Sequence, residues 1–194
     1  MLRSDKIASM IEDGALFMAG MFLWTFLEYL IHGWLSHTFR TFATPLHWAH
    51  HRDVHDVFAI RAWLPIIAVW TMMVILLRWS SWVILFSGVV AGFGCYEAIH
   101  YRIHFRRPRG RIEDYLRCRH LAHHESNPNQ CFGVTSALWD LVFGTEPMGD
   151  EVTALNESMR TKPPLMGRSN FYKLKYCIAP ASLKPSVARH LRTL

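Results

Sequence analysis

The sequence predicts an all-α protein: an integral membrane helical bundle of about three transmembrane helices, with a histidine-rich helical cap on its cytosolic side. Three observations predict it. Apolar runs at 15–31, 63–77 and 82–96 punctuate the chain. Ten of its twelve histidines gather in four short clusters beside those runs. Arginines crowd the same polar segments, and positive charge marks the cytosolic ends of membrane helices.

The first run is broken only by Gly20, Thr25 and Glu28, and with its flanks it is long enough to cross a bilayer. Its far end carries His32 and His37. The polar stretch that follows holds His47, His50 and His51, with His55 one turn on and outside the expected ligand set. The second run opens near Pro65. Only Arg78, Trp79, Ser80 and Ser81 part it from the third, so the two read as a tight helical hairpin. Gly88, Gly92 and Gly94 in the third run permit close helix contact. That run continues helically into His100 and His104, and His120, His123 and His124 follow it. If the hairpin turn lies on the far side, all four clusters meet on one membrane face. The first helix then crosses toward the cytosol and leaves the N-terminus outside, unless residues 1–13 form an interfacial segment. Ser126 to Asn129 reads as a turn, and 134–143 as a short amphipathic helix stopping at Gly144. The tail, 151–194, shows no chemical motif, and His190 within it reads as a surface residue.

Composition agrees. The 194 residues are 51% hydrophobic and 19% charged, with a mean hydropathy of +0.10, and they suggest one domain spanning 1–194. The formal charge of +6 is concentrated in Arg102, Arg106, Arg107, Arg109, Arg111, Arg117 and Arg119. No nucleic-acid partner is expected, because membrane-like sequence bounds that segment. Lys6, Glu12 and Asp13 near the start argue against a cleavable leader. Cys95, Cys118, Cys131 and Cys177 lack a C-x-x-C pair and are expected as free thiols in a reducing compartment.

Imidazole is the commonest protein metal ligand. One His-x-x-x-His pair arises easily by chance; four clusters in a short chain do not. A metal ion rarely takes more than six ligands, so ten histidines call for two ions close together. On a helix, residues four apart share a face, which lets His100 and His104 reach one ion. Adjacent His123 and His124 diverge by about 100°, so their cluster can serve both ions, and the same holds for His47, His50 and His51. His32 and His37 are five apart, which fits a helix end or a π-bulge better than a regular helix. An all-imidazole shell suits Zn, Fe, Cu or Ni and not Mg or Ca. Glu28 stands four before His32 and Glu97 three before His100, each on the face of its histidine. Both are expected to accept a hydrogen bond from a ligand's second ring nitrogen. Asp140 is a further candidate for that role. No catalytic residue is expected beyond the metal centre itself.

These residues form a known pattern. Glu28-Tyr29-Leu30-Ile31-His32, His47-x-x-His50-His51, Tyr96-Glu97-x-x-His100-Tyr101-x-x-His104-Phe105 and His120-x-x-His123-His124 stand in the order of the fatty acid hydroxylase/sterol desaturase superfamily. Phe132-Gly133-Val134-Thr135-Ser136 and Leu138-Trp139-Asp140-x-x-Phe143-Gly144-Thr145 resemble its C-terminal signature. The match covers about residues 22–147 and looks most like the fatty acid 2-hydroxylase branch. The resemblance implies a membrane-embedded diiron oxygenase that uses O2 and external electrons to hydroxylate a lipid acyl chain. It also implies that the ten clustered histidines hold two iron ions, which zinc can replace in preparations. No cytochrome b-type segment precedes the motif, so an external cytochrome b-type or ferredoxin-type donor is expected. Carotenoid or sterol oxidation on the same centre is the second enzymatic reading. A histidine-rich membrane protein that stores or moves zinc is the non-enzyme alternative. Transport needs polar residues along the membrane path, and apart from Glu28 near one end the three runs nearly lack them.

Overall fold

The structure, a computed structural model, describes residues 2–39, 41, 43–125 and 127–147. The tail at 151–194, with His190, lies outside the described residues, as do Arg40 and Ser126. All regular structure among the described residues is helical. Helix α1 (Leu2–Tyr29) runs without a break into a π-helix (Leu30–Thr38), so residues 2–13 belong to one long helix. Then come α2 (Ala43–Arg52), α3 (Ile60–Leu77), α4 (Ser81–Phe105), α5 (Arg111–Glu125) and α6 (Leu138–Phe143).

Among the described residues, two helices are long and apolar enough to cross a membrane, within Asp5–Thr38 and Ser81–Phe105. The apolar part of α3, Trp63–Leu77, is shorter. Leu64, Ile75 and Leu76 on α3 and Met10, Ile11 and Met18 on α1 are exposed. Such large apolar surfaces suit hydrocarbon rather than water.

Helices α1 and α4 form the spine, and small residues bring them together. A Cβ on Gly20 would run into the Leu85 carbonyl and the Gly88 Cα. One on Gly88 would strike the Phe17 carbonyl, and one on Gly92 the Trp24 side chain. Gly94, expected to share this role, has only an ordinary contact at 3.7 Å from Trp63. Trp24, Val89 and Phe93 form the buried core beside these glycines, flanked by Leu27, Trp63 and Tyr96. The α3–α4 turn is as tight as expected, with Arg78 at a φ of 55°. Across that hairpin the Trp70 indole donates to Ser87 Oγ at 2.9 Å. It thereby pairs a polar atom of one helix with a polar atom of the other.

At the other end, α6 packs on α1. Trp139 sits 4.7 Å from Phe26 and donates its indole N–H to Thr25 Oγ1 at 2.9 Å, and Phe143 stacks on Tyr29 at 5.1 Å. Gly144, at a φ of 73°, ends the helix in the left-handed region, where glycine carries no steric cost. Cys95 and Cys131 are free thiols as expected, whereas Cys118 is disulfide-bonded.

Candidate metal centre

The ten clustered histidines converge from four helical segments into two groups of five. One comprises His32, His37, His47, His51 and His123; the other His50, His100, His104, His120 and His124. In each group the candidate ligand atoms all lie within 4.8 Å of one another. Each group combines two same-segment pairs with one histidine from a third segment. His47/His51, His100/His104 and His120/His124 are pairs spaced by four on α-helices, which share a face. His32/His37 is spaced by five, the span of a π-helical hydrogen bond, and a π-helix carries the pair. Its turns are reinforced by Ser36 Oγ donating to the Ile31 carbonyl and Thr38 Oγ1 donating to the Gly33 carbonyl, both at 2.9 Å. Adjacent residues then part company: His50 faces one group and His51 the other, and likewise His124 and His123. His55 is exposed, bonded to Asp53, and belongs to neither.

The ring-to-ring distances test whether the groups fit metal ions. In the second group, His120 Nε2 lies 2.9 Å from that of His100 and 3.0 Å from those of His104 and His124. A neutral Nε2 has either one proton or one lone pair, so it cannot bond to three rings at once. Nitrogens bound to one metal at about 2.1 Å and about 90° apart would lie about 3.0 Å from each other. The first group gives a sharper test. His32 Nδ1–H donates to the Phe132 carbonyl, and His123 Nδ1–H donates to the Gln130 carbonyl at 2.8 Å. Each neutral ring then has only a lone pair on Nε2, yet these two atoms face each other at 3.0 Å. Facing lone pairs repel unless a cation lies between them. Both ring nitrogens of His50 are buried without a protein partner among the described residues, and a metal bond satisfies one of them. The donor set and its spacing therefore fit metal ions.

Electrostatics agree. Burial pushes the pKa values of His47, His120, His123 and His124 far down, and those of His50 and His51 to about 4 and about 3. These imidazoles are neutral at pH 7, the protonation state a metal requires.

A strapped loop aims two of the rings. Glu28 accepts the backbone N–H groups of Val134 (2.5 Å) and Thr135 (2.9 Å) and the Thr135 hydroxyl (2.5 Å). Asp140, fully buried, accepts from Phe132 N and Gly133 N at 2.8 Å, and from Thr145 Oγ1 at 2.7 Å. Arg119 donates to Asp140 at 2.7 Å and to the Gly133 carbonyl at 2.6 Å, and pairs with Glu146 at 2.6 Å. Glu146 also accepts from the Tyr115 hydroxyl at 2.7 Å.

The fatty acid hydroxylase family model matches residues 17–145, which include all ten histidines. The chain belongs to the fatty acid hydroxylase family. Over 152 residues it is 31% identical to the dihydroceramide fatty acyl 2-hydroxylase FAH1 of Arabidopsis thaliana, covering 72% of this chain and 63% of that protein. It is 33% identical over 144 residues to the fatty acid 2-hydroxylase of Homo sapiens, covering 67% and 39%. Among solved structures, full-length scs7p, of which only the hydroxylase domain is visible, superposes with a TM-score of 0.59 at 28% identity, covering 70% of this chain and 56% of that one. The chain spans less than two thirds of the length of these relatives.

Within the fatty acid hydroxylase pattern, three carboxylates act differently from expectation. Glu28 and Asp140 bond to the backbone of the 132–135 loop, and Glu97 accepts from Ala59 N at 3.1 Å; their hydrogen bonds do not go to imidazoles. Glu28 shares the face of His32, but its oxygens take the loop's amides and the Thr135 hydroxyl, and the His32 Nδ1–H goes to the Phe132 carbonyl. Backbone carbonyls take the role expected of carboxylates. Arg119, grouped by sequence with the cytosolic arginines, is instead buried. Its position was legible: Leu116, Arg119, His120 and His123 follow the spacing of one buried helical stripe. Glu146 and the carbonyls of Gln130 and Phe132 had no such signal.

Proposed function

We propose that this protein hydroxylates the fatty acyl chain of a membrane lipid, at the carbon next to the carbonyl, with O2 and electrons from an external donor. The observation that carries this reading is the pair of five-histidine groups inside the region matched to the family. Relatives named as 2-hydroxylases of fatty acids and of dihydroceramide acyl chains support the substrate class and the position. In this reading His32, His37, His47, His51 and His123 hold one iron ion and His50, His100, His104, His120 and His124 a second, with zinc able to replace either. Bound iron would supply the dioxygen-dependent oxidation of that C–H bond, which no side chain performs.

The chain's own residues do the rest. Burial keeps the imidazoles of His47, His50, His51, His120, His123 and His124 neutral, so that they offer lone pairs. The Gln130 and Phe132 carbonyls hold the Nδ1 protons of His123 and His32, and so aim their Nε2 atoms inward. Glu28, Asp140 and Arg119 fasten the loop that carries those carbonyls. His104, His120 and His123 are almost wholly shielded from solvent, which keeps bulk water from the reacting carbon.

The whole chain, 1–194, forms one domain in this reading. Helices α1, α3 and α4 each cross the bilayer, with the α3–α4 turn on the outer side and the histidines on the cytosolic face among the arginines. Electrons come from a cytochrome b-type or ferredoxin-type donor. The test is mass spectrometry of total hydrolysed lipids from cells expressing the wild type or His124→Ala. The wild type adds one oxygen to fatty acids; the variant, still inserted in the membrane, adds none. Unchanged fatty acids in iron-replete, donor-supplied wild-type cells, or product from the variant, would contradict the reading.

A further inference from the structure

The two histidine groups differ in what holds their rings. In the His123 group, two of five rings have their Nδ1 protons on backbone carbonyls, and those carbonyls belong to a loop fastened by Glu28, Asp140 and Arg119. Asp140 is central to that fastening, since its two oxygens receive Phe132 N, Gly133 N, Thr145 Oγ1 and the Arg119 guanidinium. In the other group only the His100 ring has a backbone carbonyl, that of Val57, beside it, and the Nδ1 atoms of His104, His120 and His124 are buried and meet no acceptor among the described residues. Rings aimed in advance lose less freedom when they bind an ion, and a fixed Nδ1–H makes Nε2 a better donor to the metal.

We propose that the two metal positions are unequal. The position at His32, His37, His47, His51 and His123 binds its ion more tightly, and Asp140 is the positioning residue that makes it so. Asp140 touches no ring; it acts through the carbonyl of Phe132, which it places by holding that residue's N–H and the next. Asn at 140 keeps one acceptor oxygen but turns N–H groups toward Gly133 N–H and Arg119, which loosens the strap beneath His32 and His123.

This inference rests on the dimetal reading, and a Co2+ titration of the metal-stripped full-length protein in detergent separates the two. Visible absorption of the wild type should rise in two phases of about one Co2+ per chain each. Asp140→Asn should weaken the tighter phase by about 10- to 100-fold, the usual cost of losing such support, and leave the weaker one in place. His32→Ala should remove the tight phase alone, and His104→Ala the weak phase alone; this pair decides the matter if Asp140→Asn does not fold. A single phase of about two equivalents in the wild type leaves the dimetal reading standing and overturns the inequality. So does loss of the tight phase in His104→Ala, or equal weakening of both phases by a folded Asp140→Asn. A wild type that takes up no Co2+ sinks the dimetal reading and the inequality with it.

Discussion

Glu28 ties the 132–135 loop to α1. A carboxylate in an apolar helix is costly and is kept for a reason, so its importance was visible; its partner was not. It serves three donors on a loop more than 100 positions away in sequence, and no local pattern announces such a contact. Glu28→Ala leaves the Val134 and Thr135 amides without acceptors, and each buried unpaired donor costs about 1–3 kcal/mol. The purified variant should melt well below the wild type in detergent. Glu28→Gln should lie close to the wild type, because its amide oxygen still accepts from both backbone groups and the Thr135 hydroxyl can turn to accept. Equal melting of Glu28→Ala and wild type would refute the strap. The histidines were far more legible than the carboxylates, because ligand spacing is local and helical geometry converts it directly into shared faces. The split of His50 from His51 and of His123 from His124 follows from the same geometry.

At the scale of elements, the spacing of five between His32 and His37 pointed to a departure from α-helical repeat, and the chain answers with a nine-residue π-helix. The 127–137 connection gave no such cue. It has no periodicity, and its function lies in its carbonyls, which side-chain identity does not reveal. Helix packing was partly legible. Gly88 and Gly92 bring α4 against α1, but Gly20, which looked like a mere interruption of the first run, is the partner that Gly88 requires. Gly88→Leu should abolish a monodisperse peak on size exclusion in detergent, since its side chain meets α1 backbone that cannot yield. Gly94→Ala, whose nearest neighbour is a Trp63 ring at ordinary contact distance, should elute as the wild type does. Identical behaviour of the two variants would show that α1 and α4 do not meet as described.

For the whole molecule, helical content and the gathering of four clusters at one end were both readable from where the polar segments fall. The number of crossings was less so, because α3 is apolar for only part of its length and hydropathy sees length before it sees packing. The proposed topology places the α3–α4 turn and the histidine end on opposite sides of the bilayer. An epitope inserted between Trp79 and Ser80 should be reached by antibody on intact cells, and one beside Arg109 only after permeabilisation. Labelling of both from the same side would overturn it. The central claim is that ten histidines support oxygen-dependent hydroxylation of a lipid chain. The most direct measurement supplies isotopically heavy dioxygen to membranes containing wild type or His124→Ala, with reductant and donor, and weighs the hydroxylated fatty acids. The new hydroxyl group of the wild-type product should carry heavy oxygen, and the variant should give no product. A hydroxyl oxygen drawn from water, or unchanged product from His124→Ala, would contradict it.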